Sequence, residues 1–214
     1  MSDKQPRRAG LEKIRRKTGG GLALDRPIGE QRAAFAKLMA LTEVGMPDHL
    51  CEPRFLGGMD CLRLEVPLPR EGGDSDDSDD ADGVGSSESA GPSGATILYI
   101  HGGGYSLGSP VTHRPLAARI ARRCGAPIWL PRYRRAPEHP CPAGLEDVHR
   151  SYLELRQSLR QRGQDGPVFL AGDSAGGGMA LALAMTLRDQ RGGEALSPAG
   201  LVLLSPWTDL TMSG

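Results

Sequence analysis

The sequence has no excess of charge, no long apolar segment and no signal peptide pattern. Its 26 Lys and Arg residues balance 26 Asp and Glu residues, which excludes a chain that is basic or acidic throughout and argues against a nucleic-acid partner. No stretch approaches the ~18 apolar residues of a membrane span, so we expect no stable membrane insertion. The basic N-terminus is not followed by an apolar stretch. We therefore predict a cytoplasmic protein.

The cysteines lack the spacing of a metal site. There are four of them, with no Cys-x-x-Cys pair and no zinc-ligand pattern. Their neighbours are apolar or loop-forming, so we interpret Cys51, Cys61, Cys124 and Cys141 as reduced, partly buried thiols. We predict no metal and no organic cofactor.

Two segments differ in composition from the rest of the chain. Residues 1–20 hold seven Lys and Arg against two acids, and residues 71–94 hold eight Asp and Glu with no basic residue. A segment with so few apolar side chains cannot offset the entropy cost of ordering. We predict a flexible basic arm over 1–27 and a disordered acidic insertion over 71–94. A calcium loop would need a ligand spacing and a terminal Glu that the insertion lacks.

Apolar periodicity predicts strands that alternate with helices. The predicted strands are 61–68, 95–100, 126–130, 168–171 and 201–204, and the predicted helices are 29–44, 115–124, 143–162 and 179–188. The strand at 95–100 is apolar on both faces, as a central parallel strand is, and 168–171 and 201–204 are interpreted as buried strands. This alternation indicates an α/β fold with a mostly parallel sheet and helices on both faces.

The segment around Ser174 carries the strongest chemical signal. Residues 172–176 fit Gly-x-Ser-x-Gly between a predicted strand and a predicted helix, the arrangement of a nucleophile elbow. Glycines suit such a turn because its backbone adopts conformations in which a side chain would clash. Ser174 would begin a helix, where free N–H groups favour negative charge. We predict Ser174 as the nucleophile; a glycine-rich connecting turn is the alternative.

A second glycine-rich turn, His101-Gly-Gly-Gly, follows the predicted central strand. Open α/β sheets bind ligands at this edge, where parallel strands end. The N–H groups of Gly103 and Gly104 could join that of Ala175 in an oxyanion hole. We expect His101 to brace the glycine loop, because a residue at the strand end is poorly placed to act as a base. The supporting residues of the predicted site are His101, Gly102 and Asp173.

Three motifs together resemble the signature of the hormone-sensitive-lipase-like (GDXG) esterases. They are ILYIHGGGY at 97–105, with Ser109, Thr112 and His113 downstream, YRRAPEHPCPA at 133–143 and GDSAGG at 172–177. They stand in the family's order at similar separations, and the similarity covers roughly residues 28–214. The resemblance implies an α/β-hydrolase fold, a cap formed partly by the helix at 29–44, and hydrolysis of small esters with short to medium acyl chains.

The resemblance also assigns roles to single residues. It implies Ser174 as the nucleophile, with Gly103, Gly104 and Ala175 as donors to the oxyanion. By position, Tyr105 and Trp207 would narrow the acyl site. Arg132, directly before Tyr133, stands where the family usually has Asp. In the loop after the predicted strand at 126–130, one local interaction partner therefore differs from the family. The residues expected to fix this loop by hydrogen bonds and ion pairs are Tyr133, Arg134 and Glu138. The histidines expected to be structural are His113 on a loop, His139 on a proline-rich turn and His149 on a helix flank.

The family's acid and base are not found where its order places them. That order is Ser, then Asp or Glu, then His. No histidine follows His149, and Asp209 is the only acid at a plausible later position. We expect a truncated chain without the last strands, the acid and the base, which would be inactive alone and would leave 201–204 as an apolar edge. The alternatives are a non-catalytic ligand-binding module on the same fold and, from composition only, an interaction protein that uses the arm and the insertion.

Overall fold

The computed structural model of the chain describes residues 25–43, 50–65, 94–190 and 196–211. The predicted basic arm over 1–27 lies outside the described residues except for 25–27. The predicted acidic insertion over 71–94 lies outside them except for Gly94. Both therefore stay predictions.

The described residues form strands and helices in alternation. The strands are β1 (Leu50–Leu56), β2 (Met59–Glu65), β3 (Thr96–Ile100), β4 (Ile128–Pro131), β5 (Val168–Asp173) and β6 (Gly200–Leu204). The helices are α1 (Ile28–Ala40), α2 (Pro110–Cys124), α3 (Ala143–Gln161) and α4 (Ala175–Asp189), and a 3-10 helix (Leu41–Glu43) follows α1. Within these ranges no helix combines the length and the apolar character that crossing a membrane requires.

All six strands belong to one sheet, in the order β1-β2-β4-β3-β5-β6. The run β4-β3-β5-β6 is parallel, and β2 pairs antiparallel with both β1 and β4. Central β3 is buried along its whole length. The predicted α/β fold with a mostly parallel sheet is confirmed.

An antiparallel hairpin stands where the sequence predicts one strand over 61–68. Gly57 and Gly58 join β1 to β2 and have φ angles of 63° and 80°. Positive φ at both positions is what a two-residue hairpin turn needs, and glycine adopts it without steric cost. A Cβ on Gly57 would lie 2.6 Å from the backbone nitrogen of Ser151. The turn therefore packs directly against α3.

Helices cover both faces of the sheet, because side chains alternate between the faces along each strand. On one face, Leu98 and Ile100 of β3 pack against α3 and α4. On the other face, Ile97 and Tyr99 pack against α2. The fully buried helical residues on the first face include Val148, Tyr152, Leu155, Leu183 and Leu187. Two apolar cores therefore enclose β3, which positions its carboxyl end rigidly.

Helix α2 begins earlier than the sequence predicts, at Pro110 instead of residue 115. The hydroxyl of Ser109 accepts from the N–H of Thr112, and the Thr112 hydroxyl accepts from the N–H of Ser109. This reciprocal capping satisfies N–H groups that have no partner within the helix. The expectation that His113 lies on a loop is therefore wrong: it lies in the first turn of α2 and is buried.

The prediction that 201–204 forms a buried strand is also wrong. Strand β6 is at the end of the strand order. Leu201, Val202 and Leu204 are 38%, 49% and 39% exposed. In the described part of the chain β5 is the single neighbour of β6, so the segment is an apolar edge strand, as expected for a chain without the last strands.

Candidate active site

The turn between β5 and α4 holds Ser174 in a strained conformation. Its φ and ψ are 51° and −120°, a region that costs a non-glycine residue about 1–3 kcal/mol. A Cβ on Gly172 would lie 2.7 Å from the backbone of Gly176, and a Cβ on Gly176 would lie 2.1 Å from the carbonyl oxygen of Ile100. No larger residue fits at either position. The two glycines of the motif are thus required by close backbone contacts.

Backbone hydrogen bonds hold the strained serine from the side of β6. The N–H of Ser174 donates to the carbonyl of Leu204 at 2.9 Å. The carbonyl of Ser174 accepts from the N–H groups of Trp207 at 2.8 Å and Gly178 at 3.0 Å. Ser174 is half-buried and its side chain does not cap α4. The hydroxyl of Ser174 is therefore not occupied by a capping hydrogen bond to α4.

The glycine-rich turn after β3 is equally constrained. Gly103, Gly104 and Tyr105 have φ angles of 118°, 58° and 61°, three consecutive residues in the left-handed region. The carbonyl of Gly103 accepts from the N–H groups of Ser106 at 3.2 Å and Leu107 at 2.7 Å. A Cβ on Gly103 would lie 2.6 Å from the backbone of Leu107. These contacts fix the turn that carries two of the three predicted oxyanion donors.

Asp173 joins the two turns. Its Oδ1 accepts from the N–H of Gly102 and from the hydroxyl of Tyr99, both at 2.9 Å, and its Oδ2 lies 3.6 Å from Nε2 of His113. A Cβ on Gly102 would lie 2.1 Å from Oδ2. Burial raises the pKa of this carboxyl, but the interactions with the three neighbouring groups outweigh burial and leave the pKa below its usual value. Asp173 is a carboxylate at neutral pH.

His101 is buried beneath the glycine turn. Its Nδ1 lies 2.9 Å from the carbonyl oxygen of Gly102 and 3.2 Å from the hydroxyl of Tyr133, which donates to the His101 carbonyl at 2.8 Å. The rings of His101 and Tyr133 stack at 4.2 Å. Burial, helped by the nearby His113, lowers the pKa of His101 to about 3, so its imidazole is neutral. This placement supports the predicted bracing role.

His113 belongs to the same buried cluster, which the sequence does not reveal. Its Nδ1 lies 2.9 Å from the hydroxyl of Thr112, and its ring lies 5.3 Å from that of His101 and 6.1 Å from that of Phe35 on α1. The signal that could have located it is the Ser109-x-x-Thr112 capping pattern, which starts α2 early enough to bury His113. Its contact with Asp173 makes it part of the site's support.

The loop after β4 is fixed by ion pairs, as expected. Arg134 binds Asp147 of α3 through Nε at 3.0 Å and Nη2 at 2.8 Å. Both oxygens of Glu138 accept from Arg32 of α1 at 2.7 Å, and this hydrogen bonding lowers the pKa of Glu138 to about 2. Arg132 lies close to Asp60: its N–H donates to the Asp60 carbonyl at 2.9 Å.

A cavity of about 480 Å³ opens beside the two turns. Tyr105 and Trp207 lie in its wall with ring centroids 5.8 Å apart, so the structure brings the two predicted pocket residues together. Gly178 also lines it, one helical turn after Ser174, which does not itself line the wall. A Cβ on Gly178 would lie 2.4 Å from the Trp207 carbonyl oxygen. The apolar lining residues include Ala136, Pro140, Leu145, Met179, Leu181 and Met185.

The remaining predicted residues lie apart from the two turns or serve local structure. The carboxylate of Asp209 accepts from the N–H and hydroxyl of Thr211. His139 lines the cavity, and His149 lies 3.4 Å from the side chain of Gln190. All four cysteines are free; Cys61 is buried, whereas Cys141 is exposed instead of partly buried. Across the described ranges no three His, Cys, Asp or Glu side chains form a group that could hold a metal ion.

Comparisons with known sequences agree with this architecture. A family model described as alpha/beta hydrolase fold matches residues 97–214. Over 121 residues the chain is 47% identical to an acetyl-hydrolase from Streptomyces hygroscopicus, which covers 56% of this chain and 38% of the relative. Over 170 residues it is 35% identical to the carboxylesterase/phospholipase LipF from Mycobacterium tuberculosis, which covers 78% of this chain and 41% of the relative.

Solved structures give the same picture. The crystal structure of a hormone-sensitive lipase from a metagenome library aligns with a TM-score of 0.69 and 31% identity, over 97% of this chain and 60% of that one. An esterase of the bacterial hormone-sensitive lipase family aligns with a TM-score of 0.72 and 28% identity, over 99% of this chain and 61% of that one. The chain thus spans less than two thirds of the length of each of these relatives.

Proposed function

Because this chain belongs to the α/β-hydrolase family, we propose that it carries the nucleophile and the oxyanion hole of a carboxylic ester hydrolase. The resemblance to hormone-sensitive-lipase-like esterases is confirmed by the solved relatives. The observation that carries the proposal is the contact between the two turns. Ile100 pairs with Gly172 across β3 and β5, and Asp173 then binds the Gly102 N–H at 2.9 Å. The two glycine-rich turns therefore leave the sheet side by side.

In the proposed reaction, the hydroxyl of Ser174 attacks the ester carbonyl carbon while a general base takes its proton. The N–H groups of Gly103, Gly104 and Ala175 stabilise the negative oxygen of the tetrahedral intermediate, where one such donor contributes about 3 kcal/mol. The intermediate collapses, the alcohol leaves with a proton, and an acyl ester remains on Ser174. Water attacks this ester in the same way and releases the carboxylic acid.

We propose that neither His101 nor His113, the two buried histidines beside the elbow, is the base. His101 stacks on Tyr133 and its pKa is lowered to about 3, so it cannot accept a proton near neutral pH. His113 faces Asp173 through Nε2 and Thr112 through Nδ1, so both of its nitrogens are already engaged. Neither histidine is therefore available to Ser174 in this arrangement.

The cavity supports a substrate with an apolar acyl group of short to medium length. Its volume of about 480 Å³ suits a small ligand, and its wall is mostly apolar. Tyr105 and Trp207 would narrow it, because their rings lie only 5.8 Å apart. No charged group is needed in such a ligand, since Arg134 in the wall is already paired with Asp147.

Hydrolysis of p-nitrophenyl acetate, measured with and without added imidazole, tests the proposal. We expect little turnover by the chain alone, because losing the base of a triad lowers kcat by roughly a million-fold. Added imidazole can take the serine proton, so we expect the chain with imidazole to hydrolyse the ester faster than imidazole does without protein. We expect Ser174→Ala to abolish this excess. Ser158→Ala on α3 is the matched control. Equal rates for Ser174→Ala and the unaltered chain in the presence of imidazole would contradict the proposed role of Ser174.

The second candidate is a non-catalytic ligand-binding module. It is favoured by the presence of a formed cavity while both histidines nearest the elbow are engaged elsewhere. In that case esters or carboxylic acids would bind, with an affinity reduced by Trp207→Ala, but imidazole would produce no Ser174-dependent hydrolysis. The imidazole experiment therefore separates the two functions.

A further inference from the structure

Arg32 connects α1 to two loops of the site although it lies outside every motif. Helix α1 has no fully buried residue. Its Arg32 donates from Nε to the carbonyl of Ser106 at 2.9 Å and from Nη2 to the carbonyl of Ala136 at 3.0 Å. Both terminal nitrogens also bind the carboxylate of Glu138 at 2.7 Å. One guanidinium thus serves three acceptors on two loops.

The contact with Ser106 fixes a peptide group of the glycine turn. The carbonyl of Ser106 and the N–H of Leu107 belong to the same planar peptide. Arg32 holds its oxygen, and the carbonyl of Gly103 holds its N–H at 2.7 Å. Because that peptide cannot rotate while both ends are bound, the position of the Gly103 carbonyl is fixed relative to α1.

The contact with Ala136 supports the same turn from the other side. The carbonyl of Ala136 accepts from Arg32, and its N–H donates to the carbonyl of Tyr105 at 3.0 Å. Tyr105 is the third consecutive residue with positive φ, after Gly103 and Gly104. In a residue with a side chain, such as Tyr105, this conformation persists only where surrounding contacts over-determine it. Two of those contacts, one through the Ser106–Leu107 peptide and one through Ala136, depend on Arg32.

We propose that Arg32 is a positioning residue that holds the Gly103–Tyr105 turn in the geometry of an oxyanion hole. The effect of this role on catalysis rests on the proposed function. The ion pair with Glu138 orients the guanidinium, and the two carbonyl contacts act on the turn. Lysine cannot replace it, because a single ammonium lacks the planar fork that reaches three acceptors at once.

Two variants separate the carbonyl contacts from the ion pair. Arg32→Lys keeps the charge and loses the fork. Glu138→Gln is the matched control, because it removes the charge pair and leaves the donors to Ser106 and Ala136 in place. With p-nitrophenyl acetate and imidazole, we expect Arg32→Lys to lower kcat about tenfold with KM changed less than about threefold, since a displaced donor weakens binding of the transition state rather than of the ester. We expect Glu138→Gln to lower kcat less than about threefold.

Hydrogen exchange provides a readout that does not depend on hydrolysis. We expect Arg32→Lys to speed exchange of the amides of Ser106, Leu107 and Ala136 about tenfold, and Glu138→Gln to change it much less. Exchange within twofold of the unaltered chain would overturn the positioning role, and equal acceleration by both variants would assign the effect to the ion pair alone. If the unaltered chain shows no Ser174-dependent hydrolysis, the proposed function is contradicted. The exchange result then decides the role of Arg32 by itself.

A further measurement covers the case in which Arg32→Lys does not fold. In the unaltered chain, amides of α1 and those of Ser106 and Leu107 should open together, with the same dependence on low denaturant, because one side chain couples them. Opening of α1 at lower denaturant with the turn still protected would contradict the coupling.

Discussion

Strands β3 and β6 have similar apolar sequences and opposite surroundings. Leu98 of β3, Leu170 of β5 and Leu201 of β6 pair with one another in a row across the sheet. Leu98 and Leu170 are fully buried, whereas Leu201 is 38% exposed. An apolar run shows that a segment favours a strand, and its neighbours in the sheet decide how much of it is covered.

This difference places the elbow between a firm side and a less covered side. Towards β3, Asp173 connects the elbow to Gly102, and Gly176 packs against the carbonyl of Ile100. Towards β6, Ser174 is held by backbone hydrogen bonds to Leu204 and Trp207. We infer that the geometry of the elbow is determined mainly from the β3 side.

The largest expected difference in the free energy of unfolding is between Leu→Ala on β3 and Leu→Ala on β6. Leu98→Ala removes a fully buried side chain and leaves a cavity, so we expect it to lower the free energy of unfolding by about 3 kcal/mol. Leu201→Ala removes a partly exposed side chain from the same row, and we expect a loss of about 1 kcal/mol. Urea unfolding followed by circular dichroism measures both. Equal losses would mean that β6 is as well packed as β3.

A smaller effect is expected from Asp173→Asn, which removes the charge that joins the turns. We expect a loss of about 2 kcal/mol in the free energy of unfolding at pH 7, since the N–H of Gly102 and the hydroxyl of Tyr99 lose a charged acceptor. The pKa of Asp173 is lowered in the folded chain. Its contribution is therefore fully present above the unfolded pKa of about 3.9 and is lost as pH falls through the lower folded value.

The pH dependence supplies the check on this assignment. Unfolding measured between pH 7 and pH 3 should show a smaller loss of stability on acidification in Asp173→Asn than in the unaltered chain. Identical acid profiles would show that Asp173 is not held as a carboxylate by its neighbours. Glu65→Gln on β2 is the control for removal of a carboxylate far from the elbow.

The sequence was sufficient for the parts of the site that depend on local patterns. A strand, a Gly-x-Ser-x-Gly turn and a helix follow one another within residues 168–189, and the glycine turn directly follows β3. Close backbone contacts demand glycine at 172 and 176, and for this reason the motif can be recognised in the amino-acid sequence. The strand order then brings the two turns together, as the α/β fold predicts.

Contacts between distant segments could not be predicted. Arg32 and Glu138 are separated by 106 positions, and neither periodicity nor turn chemistry pairs them. The apolar periodicity that predicts a helix over 143–162 does not show that Asp147 on this helix pairs with Arg134. The sequence does not predict the hairpin at Gly57-Gly58, because side chains along β1 do not alternate regularly between buried and exposed. These features depend on tertiary packing.

The most direct test of the central claim is a crystal structure of the chain with phenylboronic acid. Boron accepts the oxygen of a serine and becomes tetrahedral, so the adduct imitates the intermediate of ester hydrolysis. We predict a bond to Oγ of Ser174, with one boronate oxygen about 2.7–3.1 Å from the N–H nitrogens of Gly103, Gly104 and Ala175. A boronate on Ser174 whose oxygens all lie beyond hydrogen-bonding distance of these nitrogens would contradict the account.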